Sequence, residues 1–352
     1  METKKRRLSS SLSLLASPLL HRVSVGDMVR SVFRTGVVVA LSNCDVCQCE
    51  RLFDDAIGCK CQRCDILDTN GNLNENLVGL QTLGRGGFGV VYGGQFGSQL
   101  VAVKYFHTQT VNNDAKVASF NAEANCRQLV HPNIVRVLSS NCLNTQNMYI
   151  VMELAGLHNL QSLLDDATEP LGVTRHLRYM LDIAEALLFV HQRQLVHLDV
   201  KPPNIIITPS DHCKLGDFGC SQYLVDTASD GRAVSPTCRA SLTGTYAYRA
   251  PELLRGEAPT ANADIYSFGV TQWQMMSRQR PYENQHQHCV IFGVVAYNMR
   301  PELATDLEQT DMVSSGFREL YRQCWRPDPV ERPSAADLVD VFTTWSNAMY
   351  DV

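Results

Sequence analysis

Short apolar runs separated by glycines and polar residues fill roughly the stretch 77–153, whereas helical periodicity dominates after it. The runs at 101–104 (VAVK) and 149–154 (YIVMEL) are typical of buried strands. Further along, apolar residues recur at intervals of three and four, which predicts one long amphipathic helix. The members of this series are Leu177, Met180, Leu181, Ala184, Leu187, Leu188 and His191. The pattern therefore predicts a strand-rich part followed by a mainly helical part.

Composition is compatible with one two-lobed domain and an extension. The chain has 352 residues, of which 45% are hydrophobic, so it can bury a large core. We find no apolar run of the ~18 residues that a membrane span needs, and we expect no membrane partner. The net charge of −5 is uneven, because residues 1–36 carry seven Lys/Arg and two acids. Nothing in the sequence indicates a nucleic-acid partner.

Two acidic motifs lie in the helical part. Residues 196–204 read VHLDVKPPN, and residues 217–219 read DFG. In this spacing Asp199 would accept the proton of a substrate hydroxyl, while Asn204 and Asp217 would hold the magnesium that neutralises phosphates. The motifs predict phosphoryl transfer.

A glycine-rich motif in the strand-rich part complements them. Residues 84–91 read GRGGFGVV, and Lys104 follows in the next apolar strand. Glycines let the backbone close over ATP phosphates, and the order of loop, strand and Lys differs from the Walker pattern, where the Lys abuts the last Gly. The predicted nucleotide-site residues are Leu83, Gly84, Arg85, Gly86, Gly87, Phe88, Gly89, Val91, Ala102, Lys104, Met152, Glu153 and Leu154.

Lys104 needs a carboxylate partner that holds it toward the α- and β-phosphates. Glu123 is the one Glu between Lys104 and the connection after residue 152, and it lies in the helical-looking run 118–124. We predict the ion pair Lys104–Glu123; the alternative is a solvated helix residue. Met152 is predicted at the back of the adenine pocket, and the backbone of residues 153–155 at the base itself.

Residues from about 76 to 348 resemble a eukaryotic protein kinase catalytic domain, and several runs resemble the Mos family of serine/threonine kinases. These runs are 197–199 (HLD), 217–221 (DFGCS), 244–252 (GTYAYRAPE), 263–268, 294–297 and 324–327. The resemblance implies an α+β, bilobal protein kinase fold with a β-rich N-lobe, 76–153, and a mainly helical C-lobe, 154–348. It also implies a cytoplasmic monomer that uses ATP with Mg²⁺, or Mn²⁺, and phosphorylates a MAP kinase kinase in oocyte meiosis.

The same resemblance implies roles for further residues. Lys201 would steady the transferred phosphate, and Thr245 would bond the catalytic Asp and Lys; both are of the serine/threonine type. Glu252 and Arg332 would form a buried ion pair, and Asp264 would brace the backbone of the catalytic loop.

Leu198 departs from the usual kinase pattern. Most regulated kinases have an Arg there, which pairs with a phosphate on the activation loop. Since Leu cannot make that contact, our hypothesis is that activity does not depend strictly on activation-loop phosphorylation. The middle of that loop contains Ser229, Ser235, Thr237, Ser241 and Thr243.

The first 75 residues carry two unusual segments. Residues 1–43 begin with a basic cluster at 4–7 and are Ser/Leu-rich; we interpret them as a disordered arm, with a targeting segment or a nuclear-localisation patch as alternatives. Residues 44–64 hold cysteines that suit zinc; the alternatives are reduced, unstructured thiols, or sequence that does not belong to the mature protein. Residues 65–75 are predicted to be a linker. The six cysteines are Cys44, Cys47, Cys49, Cys59, Cys61 and Cys64.

Rival functions remain open at this point. A pseudokinase scaffold usually lacks the Lys, the catalytic Asp or the metal-binding Asp, and all are present here. A related kinase with another substrate is the nearest alternative, and a zinc-dependent module is compatible with either. His286, His288 and Cys289 suggest a metal, but we expect a polar surface loop.

Overall fold

The computed structural model describes residues 77–96, 98–107, 112–144, 147–224, 245–302 and 312–350. All of these belong to the second of the two units into which the chain divides, Val38–Val352. The predicted arm 1–43, the cysteine segment 44–64 with its zinc site, and the linker 65–75 lie outside the described residues.

The strand-rich part forms a five-stranded antiparallel sheet with the order β1-β2-β3-β5-β4. Its core is β-branched: Val101, Val103 and Ile150 have no exposed surface, as expected for residues that suit a half-buried pleated surface. The predicted runs 101–104 and 149–154 fall on β3 and β5. The strands are β1 (Leu77–Arg85), β2 (Gly89–Phe96), β3 (Gln99–Phe106), β4 (Val137–Asn144) and β5 (Asn147–Glu153).

One helix, α1 (Asn113–Asn125), packs against this sheet. It begins where the Asn112 side chain accepts a hydrogen bond from the Ala115 amide at 3.0 Å, which satisfies a free helix-terminal donor. Phe120 then packs edge-on against Phe106, with ring centroids 5.6 Å apart. The helix predicted over 118–124 lies within α1. The contact of α1 with the sheet fixes the position of Glu123 relative to β3.

The part after residue 153 is mainly helical. The helices are α2 (Leu160–Asp165), α3 (Val173–His191), α4 (Pro251–Leu254), α5 (Ala261–Ser277), α6 (Gln287–Tyr297), α7 (Met312–Cys324) and α8 (Ala335–Tyr350). Five of them, α2, α3, α5, α7 and α8, contribute buried residues to one apolar core. In the described residues no helix is both long and apolar enough to cross a membrane.

Short strands in this part carry the catalytic motifs. They are β6 (His158–Asn159), β7 (Leu195–Val196), β8 (Ile205–Ile207), β9 (Cys213–Leu215) and β10 (Gln222–Tyr223). β7 pairs with β10, and β8 lies between β6 and β9. The motif 196–204 therefore starts on β7 and ends where β8 begins, and the motif 217–219 lies between β9 and β10.

The predicted amphipathic helix is α3. Leu177, Met180, Ala184 and Leu187 are buried on one side of it, as the periodicity requires. Leu181 and Leu188 are partly buried at the edge of the same core. This helix supports β7, and through β7 the start of the catalytic loop.

The buried ion pair Glu252–Arg332 is confirmed. Arg332 Nη1 lies 2.7 Å from Glu252 Oε1, and Nη2 lies 2.8 Å from Oε2. The remaining guanidinium hydrogens go to the carbonyls of Arg326, Asn262 and Pro327. This pair fastens α4, which follows the activation segment, to the turn before α8.

The sheet and the helical part are joined at the backbone. The Leu215 amide donates to the Asn133 carbonyl at 2.8 Å, and the Val135 amide donates to the Leu215 carbonyl at 2.9 Å. The predicted α+β fold, with a β-rich N-lobe and a mainly helical C-lobe, is confirmed. The cleft between the two lobes contains the predicted site.

One local prediction is wrong. His288 and Cys289 lie in the first turn of α6 rather than in a loop, and His286 caps that helix by accepting from the His288 amide at 3.3 Å. The three side chains are exposed, as expected for a surface. In the described ranges no group of three or more His, Cys, Asp or Glu side chains is placed to hold a metal ion.

Candidate active site

The glycine-rich turn joins β1 to β2. The Gly86 amide donates to the Gly89 carbonyl at 2.8 Å and closes the turn. A Cβ on Gly89 would lie 2.3 Å from the Tyr105 carbonyl oxygen, so only glycine fits beside β3. A Cβ added to Gly84 or Gly87 would meet no atom of the described residues within 4 Å, so there is open space beside both glycines.

Lys104 projects from β3 into the cleft and contacts two carboxylates. Its Nζ lies 2.6 Å from Glu123 Oε2 and 2.6 Å from Asp217 Oδ1. Strand register places Lys104 opposite Val91 and Ile150, so both neighbours fix its position in the sheet. The structure therefore brings together the predicted pair Lys104–Glu123 and adds Asp217 as a second partner.

The charges of Lys104, Glu123 and Asp217 shift one another's pKa values. Burial alone would lower the pKa of Lys104, but the attraction of Asp217 and Glu123 raises it above its ordinary value. Desolvation works against the charged form of Asp217 as well, yet contact with Lys104 lowers its pKa to about 2. Burial raises the pKa of Glu123, against the pull of Lys104. The carboxylate of Asp217 is thus held ionised, and its side chain is 45% exposed to the cleft.

Asp199 lies at the centre of a second group of polar side chains. Lys201 Nζ is 2.7 Å from Asp199 Oδ2 and donates to Thr245 Oγ1 at 2.8 Å. Asn204 Nδ2 donates to both the carbonyl and the Oδ2 of Asp199, each at 2.9 Å. Four predicted residues from the catalytic loop and the activation segment meet here, and Asp199 Oδ2 is oriented by two donors.

Asp264, at the start of α5, binds the backbone of the catalytic loop. Its Oδ2 accepts from the His197 amide at 2.8 Å, and its Oδ1 accepts from the Leu198 amide at 2.7 Å. Burial raises the pKa of Asp264, but bonding and charge from His191 and His197 lower it below its ordinary value. The predicted brace is confirmed.

Leu198 adopts a left-handed backbone with φ of 65°, which is unfavourable for a residue with a large side chain. The two bonds to Asp264 hold that conformation in place. The Leu198 side chain packs against the apolar cluster that includes Ala247 and Tyr248, just after Thr245. A partly buried apolar side chain thus occupies the position where an Arg would bind phosphate.

Neighbouring side chains hold the motif 217–219 in its conformation. Asp217 has φ of 57°, Phe218 is buried, and the His197 ring lies edge-on to Phe218 at 4.6 Å. A Cβ on Gly219 would come within 2.4 Å of Ser119 Oγ on α1, so the helix and the motif are in direct contact. This contact couples the position of Glu123 to that of Asp217.

The connection after β5 begins beside Met152 and Glu153, two of the predicted nucleotide-site residues. Met152 pairs with Ala102 across β5 and β3, which places both predicted nucleotide residues on adjacent strands. The Glu153 amide donates to the Arg136 carbonyl at 3.0 Å, and its side chain accepts from Arg136 N and Lys214 Nζ. Since the Glu153 amide is engaged, its carbonyl and the backbone of residues 154–155 are the groups left for the base.

The donor set suits a hard divalent cation. Asp217 offers a carboxylate, and Asn204 uses its Nδ2 on Asp199, so its Oδ1 remains as a ligand. Oxygen ligands of this kind, completed by phosphates and water, are what Mg²⁺ prefers. Both residues lie on the same side of the cleft as Asp199, and we infer that the residues present fit magnesium.

Several contacts of the site had no signal in the sequence. They are the second partner of Lys104, the packing of Ser119 on Gly219, and the bond between Cys126 Sγ and Ser221 Oγ at 3.7 Å. Each joins residues that are far apart in sequence and that no motif links. The roles assigned to the motif residues remain predictions.

This chain is similar to one known protein family and to several known proteins. The protein kinase domain family matches residues 77–342. The serine/threonine-protein kinase mos of Patiria pectinifera is 44% identical over 260 residues, 73% of this chain and 72% of that protein. The protein of the same name from Xenopus laevis is 42% identical over 272 residues, 76% and 75%.

A mammalian protein is also similar to this chain. The proto-oncogene serine/threonine-protein kinase mos of Mus musculus is 39% identical over 278 residues, 74% of this chain and 78% of that protein. The family match, over residues 77–342, spans the two lobes and the cleft just described. The chain therefore belongs to the protein kinase family and, within it, to the Mos serine/threonine kinases.

Proposed function

We propose that this serine/threonine kinase acts as a MAP kinase kinase kinase: it transfers the γ-phosphate of ATP to serine or threonine of a MAP kinase kinase. The resemblance to the Mos family implies that it does so in the cytoplasm, as a monomer, during oocyte meiotic maturation. The observation that carries the chemistry is the meeting of Lys104, Glu123 and Asp217 at ion-pair distance in the cleft.

ATP would bind under the glycine turn and against Lys104. Open space at Gly84 and Gly87 leaves room for the phosphates, and Lys104, fixed by Glu123, supplies a positive charge beside them. Asn204 and Asp217 would hold Mg²⁺, or Mn²⁺ in its place, which supplies charge neutralisation to the phosphates when bound.

The substrate hydroxyl would be oriented by Asp199. Lys201 and Asn204 both donate to Asp199 Oδ2, which leaves Oδ1 to accept the proton of a serine or threonine. Lys201 would also stabilise the charge of the transferring group, and its bond to Thr245 ties the substrate-facing loop to the same lysine. Positioning and electrostatics thus supply the catalysis, as expected for phosphoryl transfer.

The proposal is tested by incubating the purified chain with ATP, magnesium and a catalytically dead MAP kinase kinase. We expect phosphate on activation-loop serines of that substrate, and none when the chain carries Asp217→Asn. An unchanged melting temperature of the variant would show that its fold is intact.

Each other result is also informative. Transfer to a generic substrate but not to the MAP kinase kinase would retain the kinase and reject its proposed substrate. No transfer to any substrate would overturn the proposed chemistry and favour a pseudokinase. Undiminished turnover with Asp217→Asn would overturn the site assignment.

A further inference from the structure

Helix α6 carries an exposed apolar surface. Phe292 is 60% exposed and Tyr297 is 74% exposed, and their rings contact each other edge-on at 5.5 Å. Cys289 and Ala296 are also exposed, and Val295 is half-buried. We call these five residues the α6 apolar face. The helix contains no Asp, Glu, Lys or Arg between Gln287 and Tyr297, although the outer side of a surface helix is normally polar.

The other side of α6 attaches the helix to the fold. The inner side of α6 is formed by Val290, Gly293 and Val294, which are buried. A Cβ on Gly293 would lie 2.7 Å from the Met299 side chain, so the helix is already seated closely on the chain that follows it. Large exposed aromatic side chains that contribute nothing to the core are typical of binding surfaces.

The position of α6 indicates what binds there. Val290 and Val294 share one apolar cluster with Tyr248, and α6 contacts the turn Tyr246–Tyr248. That turn directly follows Thr245, which accepts the bond from Lys201 beside Asp199. A protein whose serine or threonine reaches Asp199 must lie over this turn, and α6 is the helix packed against it.

We propose that the α6 apolar face is a docking site for the folded protein substrate, which presents an uncharged, apolar patch to it. The inference rests on the protein-kinase activity of the proposed function, and it adds where the substrate binds away from its phosphorylated residue. One helix face with two aromatic anchors is small beside the ~800 Å² per partner of a stable interface. That size suits a transient complex of enzyme and substrate better than a permanent dimer of two copies.

The test compares two substrates of the full-length chain: a catalytically dead MAP kinase kinase and a short peptide that carries its phosphorylated sequence. The double variant Phe292→Ser/Tyr297→Ser should raise KM and lower kcat/KM for the protein by roughly ten-fold or more. The values for the peptide and for ATP should not change. Phe292→Leu/Tyr297→Phe, which keeps the face apolar, should retain most of the activity on the protein.

Val330→Ser is the matched control. Val330 is 81% exposed and lies on the separate turn Pro329–Glu331. It therefore reports what loss of an exposed apolar side chain does by itself. We expect no change with either substrate.

Three results would overturn the docking site. They are equal loss on protein and peptide, no loss on either, and a wild-type chain that phosphorylates the peptide but not the folded protein. A dimer seen by light scattering that the double variant dissociates, with both activities unchanged, would assign the face to a second copy instead. Failure of the wild type on the peptide as well would overturn the proposed function itself.

Discussion

Two buried ion pairs in this molecule have the same chemistry and different surroundings. At the base of the C-lobe, the side chain of Arg332 has no exposed surface and every hydrogen-bonding group of its guanidinium is bonded. In the cleft, Lys104 is held between Glu123 and Asp217, and Asp217 remains 45% exposed. In the first pair every donor of the guanidinium has a partner, whereas the second includes the partly exposed carboxylate of Asp217.

This difference separates scaffold from chemistry. A saturated pair can only hold elements together, and its loss leaves a buried charge without a partner. The cleft cluster can lose one carboxylate and still keep its lysine paired. There is also open space beside Gly84 and Gly87 of the glycine turn. Burial and charge alone do not identify a site; an unsaturated carboxylate beside open space does.

The largest expected effect on stability is at the buried pair Glu252–Arg332. Arg332→Met should lower the free energy of unfolding by roughly 3–5 kcal/mol, because it leaves Glu252 buried without its partner. Urea unfolding followed by fluorescence measures the loss. The change tests whether the C-lobe pair is a structural contact of the size that its burial suggests.

Arg255→Met is the matched control for that measurement. Arg255 pairs with Glu257 at 2.5 Å, but both side chains are well exposed, and surface pairs are worth about 0–1 kcal/mol. If both Met variants lost equal stability, burial would not be the reason for the strength of the Glu252–Arg332 pair.

A smaller effect is expected in the activation loop. Since Leu198 is apolar and packs against the cluster that includes Ala247 and Tyr248, it cannot bind a loop phosphate. Alanine at the loop serines and threonines, Ser229, Ser235, Thr237, Ser241 and Thr243, should therefore leave turnover within a few-fold of wild type. These five residues lie outside the described residues, so the prediction rests on Leu198.

Thr245→Ala is the comparison for the loop variants. Loss of its bond to Lys201 should reduce turnover by roughly ten-fold, because it disturbs the lysine beside Asp199. Near-total loss of activity in the loop variants would contradict the hypothesis that activity does not depend strictly on loop phosphorylation.

The fold and the members of the site could be predicted because their signals are local. Apolar periodicity marks α3 through Leu177 and Leu187, and the spacing of Asp199, Asn204 and Asp217 marks the phosphoryl-transfer motifs. The predicted helix run 118–124 lies within α1 because it has a polar cap and an apolar face against the sheet. Such patterns depend on neighbours in sequence, so a single chain contains them.

The remaining features depend on contacts between distant segments. The bond from Lys104 to Asp217 joins residues that are 113 positions apart, and the left-handed backbone of Leu198 is held by Asp264 from another helix. The sequence around His288 and Cys289 predicts a loop because the residues before them are polar. In the structure these two residues belong to an apolar helix that begins at Gln287. Tertiary packing decides each of these features, and composition does not reveal them.

The central claim is that the cleft pair serves catalysis and the base pair serves stability. The direct measurement is to determine turnover and unfolding free energy for two isosteric variants, Glu123→Gln and Glu252→Gln, with turnover assayed well below the melting temperature. Glu123→Gln should lower turnover by about 100-fold through misplacement of Lys104, with little loss of stability because Asp217 still pairs with the lysine. Glu252→Gln should lose about 3–5 kcal/mol of stability while keeping most of its turnover. Equal loss of stability in both variants, or full turnover in Glu123→Gln, would contradict the account.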